Sequence, residues 1–189
     1  MSVLTMLPTV PEMDVHVEQK DLAGGLAAAV FDGPSREYRY LLTRIWDPTV
    51  KPIVFLMLNP STADAFDDDA TIRRLAGPSG FARREGAGGI VVVNLFALRS
   101  TDPRALTRHA DPVGKHNDVF IRQAVDLGSR VVAAWGAAPV AGDRGREVVA
   151  AVAARGMPLY CLGTTSAGQP RHPLYLPGDA ALELYGAAA

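Results

Sequence analysis

The sequence has one cysteine in 189 residues and no long apolar run. A single cysteine excludes an intrachain disulfide framework and a metal site built on several cysteines. Cys161 lies in the apolar stretch 159–162, which is typical of a buried, unreactive thiol. No apolar run approaches the roughly 18 residues of a membrane helix, and no cationic start precedes an apolar segment. We therefore expect a cytoplasmic protein that does not enter a membrane.

The sequence also lacks an excess of either charge. Its 19 Lys and Arg and 20 Asp and Glu give a formal net charge of −1 at pH 7. This charge excludes a protein whose entire surface is basic and binds nucleic acid without a defined site. Binding of an anion therefore requires a local basic patch. That patch is the predicted contact for DNA or a nucleotide. Basic residues gather at Arg73, Arg74, Arg83, Arg84, Arg99, Arg104 and Arg108. A solvated face is the alternative for Arg73 and Arg74, and Arg99 is the most suggestive of the set.

Four short apolar runs predict the strands of a parallel sheet. Runs that are apolar at every position are typical of strands buried on both faces, and they are residues 53–58, 90–93, 131–135 and 159–162. Segments with helical character separate them, and a Gly-Pro-Ser-Gly stretch at 77–80 interrupts the first segment. The alternation predicts right-handed crossovers and an α/β fold, a three-layer α/β/α sandwich around a central, mainly parallel four-stranded sheet.

Two regions of unequal order are expected along the chain. Residues 1–35 combine scattered prolines with one alternating segment around Val15 and Val17, which indicates a loosely docked N-terminal arm with one strand. Residues 36–189 are expected to form a single α/β domain, because 48% apolar residues suffice for a full core. The oligomeric state is left open, and a monomer is assumed.

Asparagines follow two of the predicted strands. Asn59 and Asn94 stand where ligands bind in open parallel sheets, beyond the carboxyl ends of the strands. An asparagine can hold a water or hydrogen-bond the edge of an amide-like ring such as a pyrimidine, but it cannot act as a general base. The alternative is that both residues cap helices or satisfy loop backbone.

An acidic stretch follows Asn59. Clustered carboxylates suit a hard cation, but the stretch lacks EF-hand spacing, and Asp69 stands at a predicted helix start. We interpret the run at Asp67, Asp68 and Asp69 as a helix cap and predict no metal. Asp64 is kept as a candidate catalytic group, because it lies close to Asn59 and follows two hydroxyls.

Several motifs resemble a bacterial and phage family, domain of unknown function 1643. They comprise residues 39–40 with Trp46, 58–64 (LNPSTAD), 69–74 (DATIRR), 92–98 (VVNLFAL) and 172–177 (HPLYLP). The resemblance extends over residues 38–178. It names a family and implies no established activity.

A more distant resemblance is to the uracil-DNA glycosylase superfamily. Residues 58–61 (LNPS) resemble its first motif, residues 91–95 (VVVNL) the segment whose Asn binds the pyrimidine, and residues 172–174 (HPL) its closing motif. This resemblance implies a small three-layer α/β domain. No cofactor is predicted, since the chain lacks the cysteines for the iron–sulfur cluster that some branches carry.

The glycosylase resemblance also implies a function: the protein would bind a pyrimidine base in DNA, including a modified one. As an enzyme it would excise that base by hydrolysing the N-glycosidic bond. The implied catalytic residues are Asn59, which positions a water, and His172, which stabilises charge on the leaving base. Asp64 is the third catalytic candidate, predicted to orient its neighbours rather than react. The candidate substrate-binding residues are Pro60, Ser61, Thr62, Phe66, Asn94, Phe96, Arg99, Arg171 and Leu174.

The candidate binding residues have separate roles. Asn94 would hydrogen-bond the base, Phe66 or Phe96 would stack on it, and Leu174 would fill the place it leaves in the DNA. Arg99 could hold a phosphate. Ser61 and Thr62 replace a bulky aromatic of the best-known glycosylases, which indicates an open pocket for a modified base.

Two alternatives remain, so enzymatic activity is left open. The first is an enzyme that uses the same pocket on a free nucleoside or nucleotide, which the near-zero net charge favours. The second is a non-catalytic module that binds nucleic acid or a modified base. Departures from the glycosylase pattern keep both open, above all Leu174 and Tyr175 where glycosylases have a phosphate-binding serine.

Overall fold

The computed structural model describes residues 13–186, which form one eight-stranded sheet flanked by helices. Its strands are β1 (Val15–Leu22), β2 (Gly25–Asp32), β3 (Arg39–Ile45), β4 (Ile53–Met57), β5 (Gly89–Asn94), β6 (Arg130–Ala133), β7 (Leu159–Cys161) and β8 (Glu183–Leu184). Its helices are α1 (Ala70–Ala76), α2 (Phe81–Arg84), α3 (Asn117–Leu127) and α4 (Gly142–Ala153). The strand order in the sheet is β1-β2-β3-β5-β4-β6-β7-β8.

The four apolar runs of the sequence are strands β4 to β7. They pair in parallel, with β4 between β5 and β6 and with β7 beside β6. All residues of β4 and β5 are buried, as continuous apolar runs predict. The expected α/β fold is therefore confirmed.

The size of the sheet and its strand directions differ from the expectation. Four of the seven pairings are antiparallel: β1 with β2, β2 with β3, β3 with β5, and β7 with β8. The predicted mainly parallel four-stranded sheet is thus wrong as a description of the whole sheet. One reason is that β2 contains the three consecutive residues Ala27, Ala28 and Ala29, and alanine favours strands weakly.

Residues 15–32 form a hairpin rather than an arm with one strand. Strands β1 and β2 pair along their whole length around Gly24, whose positive φ of 83° suits a tight turn. The inner part of β2 is buried against β3, so this correction concerns the core and not a surface appendage. The division of the chain at residue 35 stays a prediction, because residues 1–12 lie outside the described residues.

The sheet is covered by helices on both faces. On one face, α3 and α4 pack Phe120 and Val148 among strand residues that include Val54. On the other face, α1 and α2 pack Leu75 and Phe81 among strand residues that include Phe55. Neighbouring residues of a strand point to opposite faces, so the central strands supply both cores. Residues 77–80 separate α1 from α2, as the Gly-Pro-Ser-Gly sequence predicts.

Candidate functional site

A cleft of about 730 Å³ opens where the parallel strands end. The chain after β4 contributes Asn59 and Ser61 to its lining, and β5 contributes Asn94. Trp135 and Gly136 line it just after β6, and residues 171–176 close another side. The crossover topology therefore places the cleft at the edge of the sheet where α/β proteins bind ligands.

Half of the predicted site residues share this cleft. The three residues of the implied mechanism that bind water, base and leaving group, namely Asn59, Asn94 and His172, all line it. Of the other candidates, Ser61, Arg171 and Leu174 also line it. Segments that are far apart in the sequence therefore meet at one place.

Asn94 is the most unusual polar residue of the cleft. The residue is 1% exposed, and neither Oδ1 nor Nδ2 has a hydrogen-bond partner among the residues that the structure describes. A buried amide without partners costs about 1–3 kcal/mol for each unsatisfied group. Since Asn94 also lines the cleft, the partners it lacks are the ones that a ligand can supply.

The end of β5 that carries Asn94 is held by two side chains from the helices behind it. Asn117 is fully buried and donates from Nδ2 to the carbonyl oxygens of Asn94 (3.0 Å) and Leu95 (3.1 Å). Arg144 donates from Nε to the same Leu95 oxygen at 3.0 Å. These contacts fix the backbone under Asn94, which orients its amide in advance of any ligand.

Unlike the side chain of Asn94, the side chain of Asn59 makes hydrogen bonds within the protein. Its Nδ2 donates to the carbonyl oxygens of Pro60 (3.0 Å) and Ser100 (2.8 Å). These bonds join the segment after β4 to the segment after β5. They leave Oδ1 as the group of Asn59 that can accept a hydrogen bond from a water or a ligand.

His172 presents one hydrogen-bond donor. Its Nδ1 accepts from the backbone N–H of Leu174 at 3.2 Å, so the proton of the neutral ring lies on Nε2. Burial lowers the pKa of His172, and the nearby charge of Asp69 opposes that shift. The imidazole is therefore neutral at pH 7. Gly136 lies against it with a φ of 79°, and a Cβ there would be 3.5 Å from the Cβ of His172.

Asp69 has two roles in the structure. It is the N-cap of α1, as predicted, because its Oδ1 accepts from the N–H of Ile72 at 2.9 Å. It also lines the cleft, where the sequence did not predict it. A carboxylate near His172 and Arg39 is thus available for chemistry in the cleft.

Asp64 lies outside the residues that line the cleft. Its Oδ1 accepts from the N–H groups of Phe66 (2.8 Å) and Asp67 (3.0 Å), and Oδ2 contacts Arg36 at 3.5 Å. Burial opposes ionisation, but these hydrogen bonds and the charge of Arg36 lower the pKa of Asp64 overall. Asp64 therefore holds the turn as a carboxylate.

Asp68, in the rest of the acidic stretch, pairs with one of the two arginines of β3. Arg44 is buried and pairs with Asp68 at 2.7 Å, and it also donates to the carbonyl oxygen of Asp64. Asp68 thus supplies a negative charge to a cation inside the fold. The polarity of this stretch is explained by its own arginine neighbours.

Several predicted binding residues are placed elsewhere. Phe96 is 5% exposed, packs in the core with α3 and α4, and does not line the cleft. Phe66 is 54% exposed but does not line the cleft. Arg99 donates to the carbonyl oxygen of Arg36 and lies over the ring of Phe31. The cleft lining also lacks Pro60 and Thr62.

The predicted basic patch is largely engaged within the protein. Arg104 and Arg108 both pair with Asp102, and Arg83 lies 4.0 Å above the ring of Trp46. Arg73, Arg74 and Arg84 donate to the carbonyl oxygens of Asp68, Leu176 and Ala180. These contacts arise from tertiary neighbours, which a count of basic residues along the chain does not show.

The sequence did not single out two large side chains of the cleft. Arg39 of β3 and Trp135 after β6 both line it and are each 3% exposed. Trp135 donates from Nε1 to Oε1 of Gln169 at 3.1 Å. The available signal was indirect: Arg39 belongs to a motif of the family resemblance, and Trp135 stands at a strand end.

Within residues 13–186, no group of three or more His, Cys, Asp or Glu could hold a metal ion.

A family described as Protein of unknown function (DUF1643) has a model that matches residues 39–174. The chain belongs to this family. The match begins at Arg39 and ends at Leu174, and both residues line the cleft of this DUF1643 protein. Comparisons with curated proteins and with solved structures find no match. No helix within residues 13–186 is long and apolar enough to cross a membrane.

Proposed function

We propose that this DUF1643 protein binds the edge of a pyrimidine base in its cleft and hydrolyses the N-glycosidic bond of that base. The observation that carries the proposal is the Asn94 amide, which is buried, without partners and part of the cleft lining. A pyrimidine edge offers a donor beside an acceptor, the complement of one amide. The resemblance to glycosylases, which remains a prediction, points to the same base-binding role for Asn94.

The polar groups of the cleft suit this hydrolysis. A water attacks the anomeric carbon of the sugar, the carbon–nitrogen bond breaks, and the base leaves with the bonding electron pair. His172 donates its Nε2 proton as a hydrogen bond to the carbonyl oxygen on which charge develops. Asn59 accepts a hydrogen bond from the water through Oδ1, and Asp69 accepts the proton that the water releases.

The aromatic surface for the base comes from residues other than those first expected. Trp135 lines the inner part of the cleft, and Tyr175, which is highly exposed, lines its rim. Stacking on such rings does not depend on which pyrimidine is bound. The two residues therefore replace Phe66 and Phe96 in the proposed site.

The proposal covers a base in a free nucleoside or nucleotide and a base in DNA. The pairing of Arg104 and Arg108 with Asp102 favours the smaller substrate, since Asp102 competes with a DNA backbone for these two arginines. A non-catalytic module that binds a modified base would use the same contacts of Asn94. The difference between enzyme and module is whether free base is released.

The test is to incubate the protein with pyrimidine nucleosides, their monophosphates, and oligonucleotides that contain uracil or hydroxymethyluracil. We expect free base, measured by chromatography, and its loss in Asn94→Ala and His172→Ala. His16→Ala is the matched control, since His16 is an exposed residue of β1 outside the cleft lining. Binding without release of base from any substrate would overturn hydrolysis and support the module.

Asp69→Asn tests the acceptor of the proton. Asparagine caps helices about as well as aspartate, so α1 keeps its cap while the cleft loses its carboxylate. We expect a thermal unfolding temperature only slightly below that of the wild type, since the buried Arg39 loses a nearby negative charge. The rate should be lower by about 100-fold, in the range found for general acid–base groups. A variant with the wild-type rate would remove Asp69 from the reaction.

A further inference from the structure

Arg39 is a buried cation that pairs with no carboxylate of residues 13–186. Its side chain donates from Nη1 to the carbonyl oxygen of Ala63 at 2.7 Å, and its buried Nε has no partner. Of the carboxylates on the segment after β4, Asp64 and Asp68 pair with Arg36 and Arg44, and Asp69 acts on Arg39 through its charge. A buried charge without a partner is costly, so its place in the fold calls for an explanation.

Arg39 stays charged despite its burial. Burial lowers the pKa of Arg39 to about 10, while the charge of Asp69 works in the opposite direction. At neutral pH the guanidinium is therefore protonated, and it lines the cleft with Asn94 and His172. The hydroxyls of Ser61 and Thr71 line the same cleft and can donate further hydrogen bonds.

We infer that Arg39 forms an anion subsite inside the cleft and that the ligand is a pyrimidine nucleoside monophosphate, whose phosphate binds there. The inference rests on the proposed base-binding function, and it adds the phosphate to the substrate. The unpaired Nε–H of the Arg39 guanidinium can donate to a phosphate oxygen, and charge-assisted hydrogen bonds of this kind are strong.

A phosphate monoester fits this position better than a DNA backbone does. Arg39 lies within the cleft and is 3% exposed, whereas a duplex contacts cations on the outer surface. Several outer arginines pair with neighbouring carboxylates, as Arg130 does with Glu85 and Arg155 with Asp126. Arg39, the buried arginine of the cleft lining, therefore determines the preference for a phosphate monoester.

The test compares the binding of uridine, uridine monophosphate, inorganic phosphate and a single-stranded oligonucleotide by isothermal titration calorimetry. We expect uridine monophosphate to bind at least tenfold more tightly than uridine, and inorganic phosphate to compete with it. Arg39→Met should reduce the affinity for the monophosphate to that for uridine, and Arg39→Lys should give an intermediate affinity.

Arg44→Met is the matched control. Arg44 is the other buried arginine of β3, but it is paired with Asp68 and does not line the cleft. This variant should unfold at a lower temperature and keep the preference for the monophosphate. Arg39→Met without ligand should unfold at the wild-type temperature or above it, and phosphate should no longer stabilise it.

The outcomes separate this inference from the proposed function. Equal affinities of the wild-type protein for uridine and its monophosphate would overturn the anion subsite and leave the base site intact. A preference for the monophosphate without any release of base would support the subsite and overturn hydrolysis. Tighter, strongly salt-dependent binding of the oligonucleotide would overturn the mononucleotide as the ligand. If Arg39→Met does not fold, the ligand series and Arg39→Lys still decide.

Discussion

Asn59 and Asn94 come from the same topological position on neighbouring strands, yet their surroundings are opposite. The side chain of Asn59 donates two hydrogen bonds to backbone carbonyls, and the side chain of Asn94 makes none within the described residues. Asn59 thus joins two segments of the cleft wall, whereas Asn94 lowers stability unless a ligand completes its hydrogen bonds. The difference shows that one residue type at one kind of strand end can serve either the fold or the ligand.

The largest expected effect is that of Asn94→Leu. We expect kcat/KM for base release to fall about 100-fold or more, since a group that binds the reacting base is lost. The free energy of unfolding, measured in urea, should not decrease, because an apolar side chain of similar size replaces an unsatisfied amide. Lower stability with full activity would show that Asn94 stabilises the fold and does not bind the ligand. Asn94 and Asn59 would then have the same role.

The pH profile of His172 sharpens the comparison, because it tests the donor that acts beside Asn94. The pKa of His172 lies below its ordinary value of 6.5 because of burial. The rate should therefore stay level from pH 8 through pH 6.5. Below pH 6.5 it should fall, because protonation of Nδ1 removes the acceptor for the N–H of Leu174 that holds the ring in place. Protonation favours the unfolded chain in the same acidic range, so stability also falls as the pH decreases there.

Two variants check the assignment to His172. His172→Gln removes the titrating ring, so the decrease of the rate at acidic pH should disappear. Asp69→Asn removes the charge that raises the pKa of His172, so any residual activity should persist to lower pH. An acidic limb that is unchanged in His172→Gln would assign the titration to another group.

A smaller effect on activity is expected for Asn59→Ala. The loss of the bonds to Pro60 and Ser100 should lower the free energy of unfolding by about 1 kcal/mol. The rate of base release should fall about tenfold, as a water loses one of its acceptors. If the rate falls as far as in Asn94→Leu while stability is unchanged, Asn59 belongs with the ligand rather than the fold.

The smallest effect is expected for Asp64→Asn. The amide oxygen can still accept from the N–H groups of Phe66 and Asp67, so only the contact with Arg36 is weakened. The change in unfolding free energy should stay below about 1 kcal/mol, as for partly exposed ion pairs. Activity should change less than in Asn59→Ala, and a larger loss would return Asp64 to the catalytic group.

The sequence predicted those features that depend on neighbouring residues along the chain. The runs at β4 and β5 are apolar at every position, which identified them as buried strands. The position of Asp69 before a helical segment identified it as a cap. Asn59, Asn94 and His172 were expected in one pocket from the strand-end rule and the glycosylase resemblance, and they line one cleft.

Residues whose role depends on distant neighbours were not predictable. β2 is buried although its alanines favour strands weakly, because it lies between β1 and β3. Phe96 follows a strand as Asn94 does, but its ring points into the core. Arg39 lies on a strand at some distance from the strand-end motifs, and only the folded chain places it in the cleft.

The sequence by itself determined the four parallel strands, the family and the polar residues at the strand ends. It could do so because burial on both faces requires unbroken apolar runs, and such runs are local. Only the tertiary structure decided that Asn59 is satisfied, that Asn94 is not, and that Arg39 lacks a carboxylate partner. Hydrogen-bond partners come from segments far apart in the chain, so the sequence carries no local record of them.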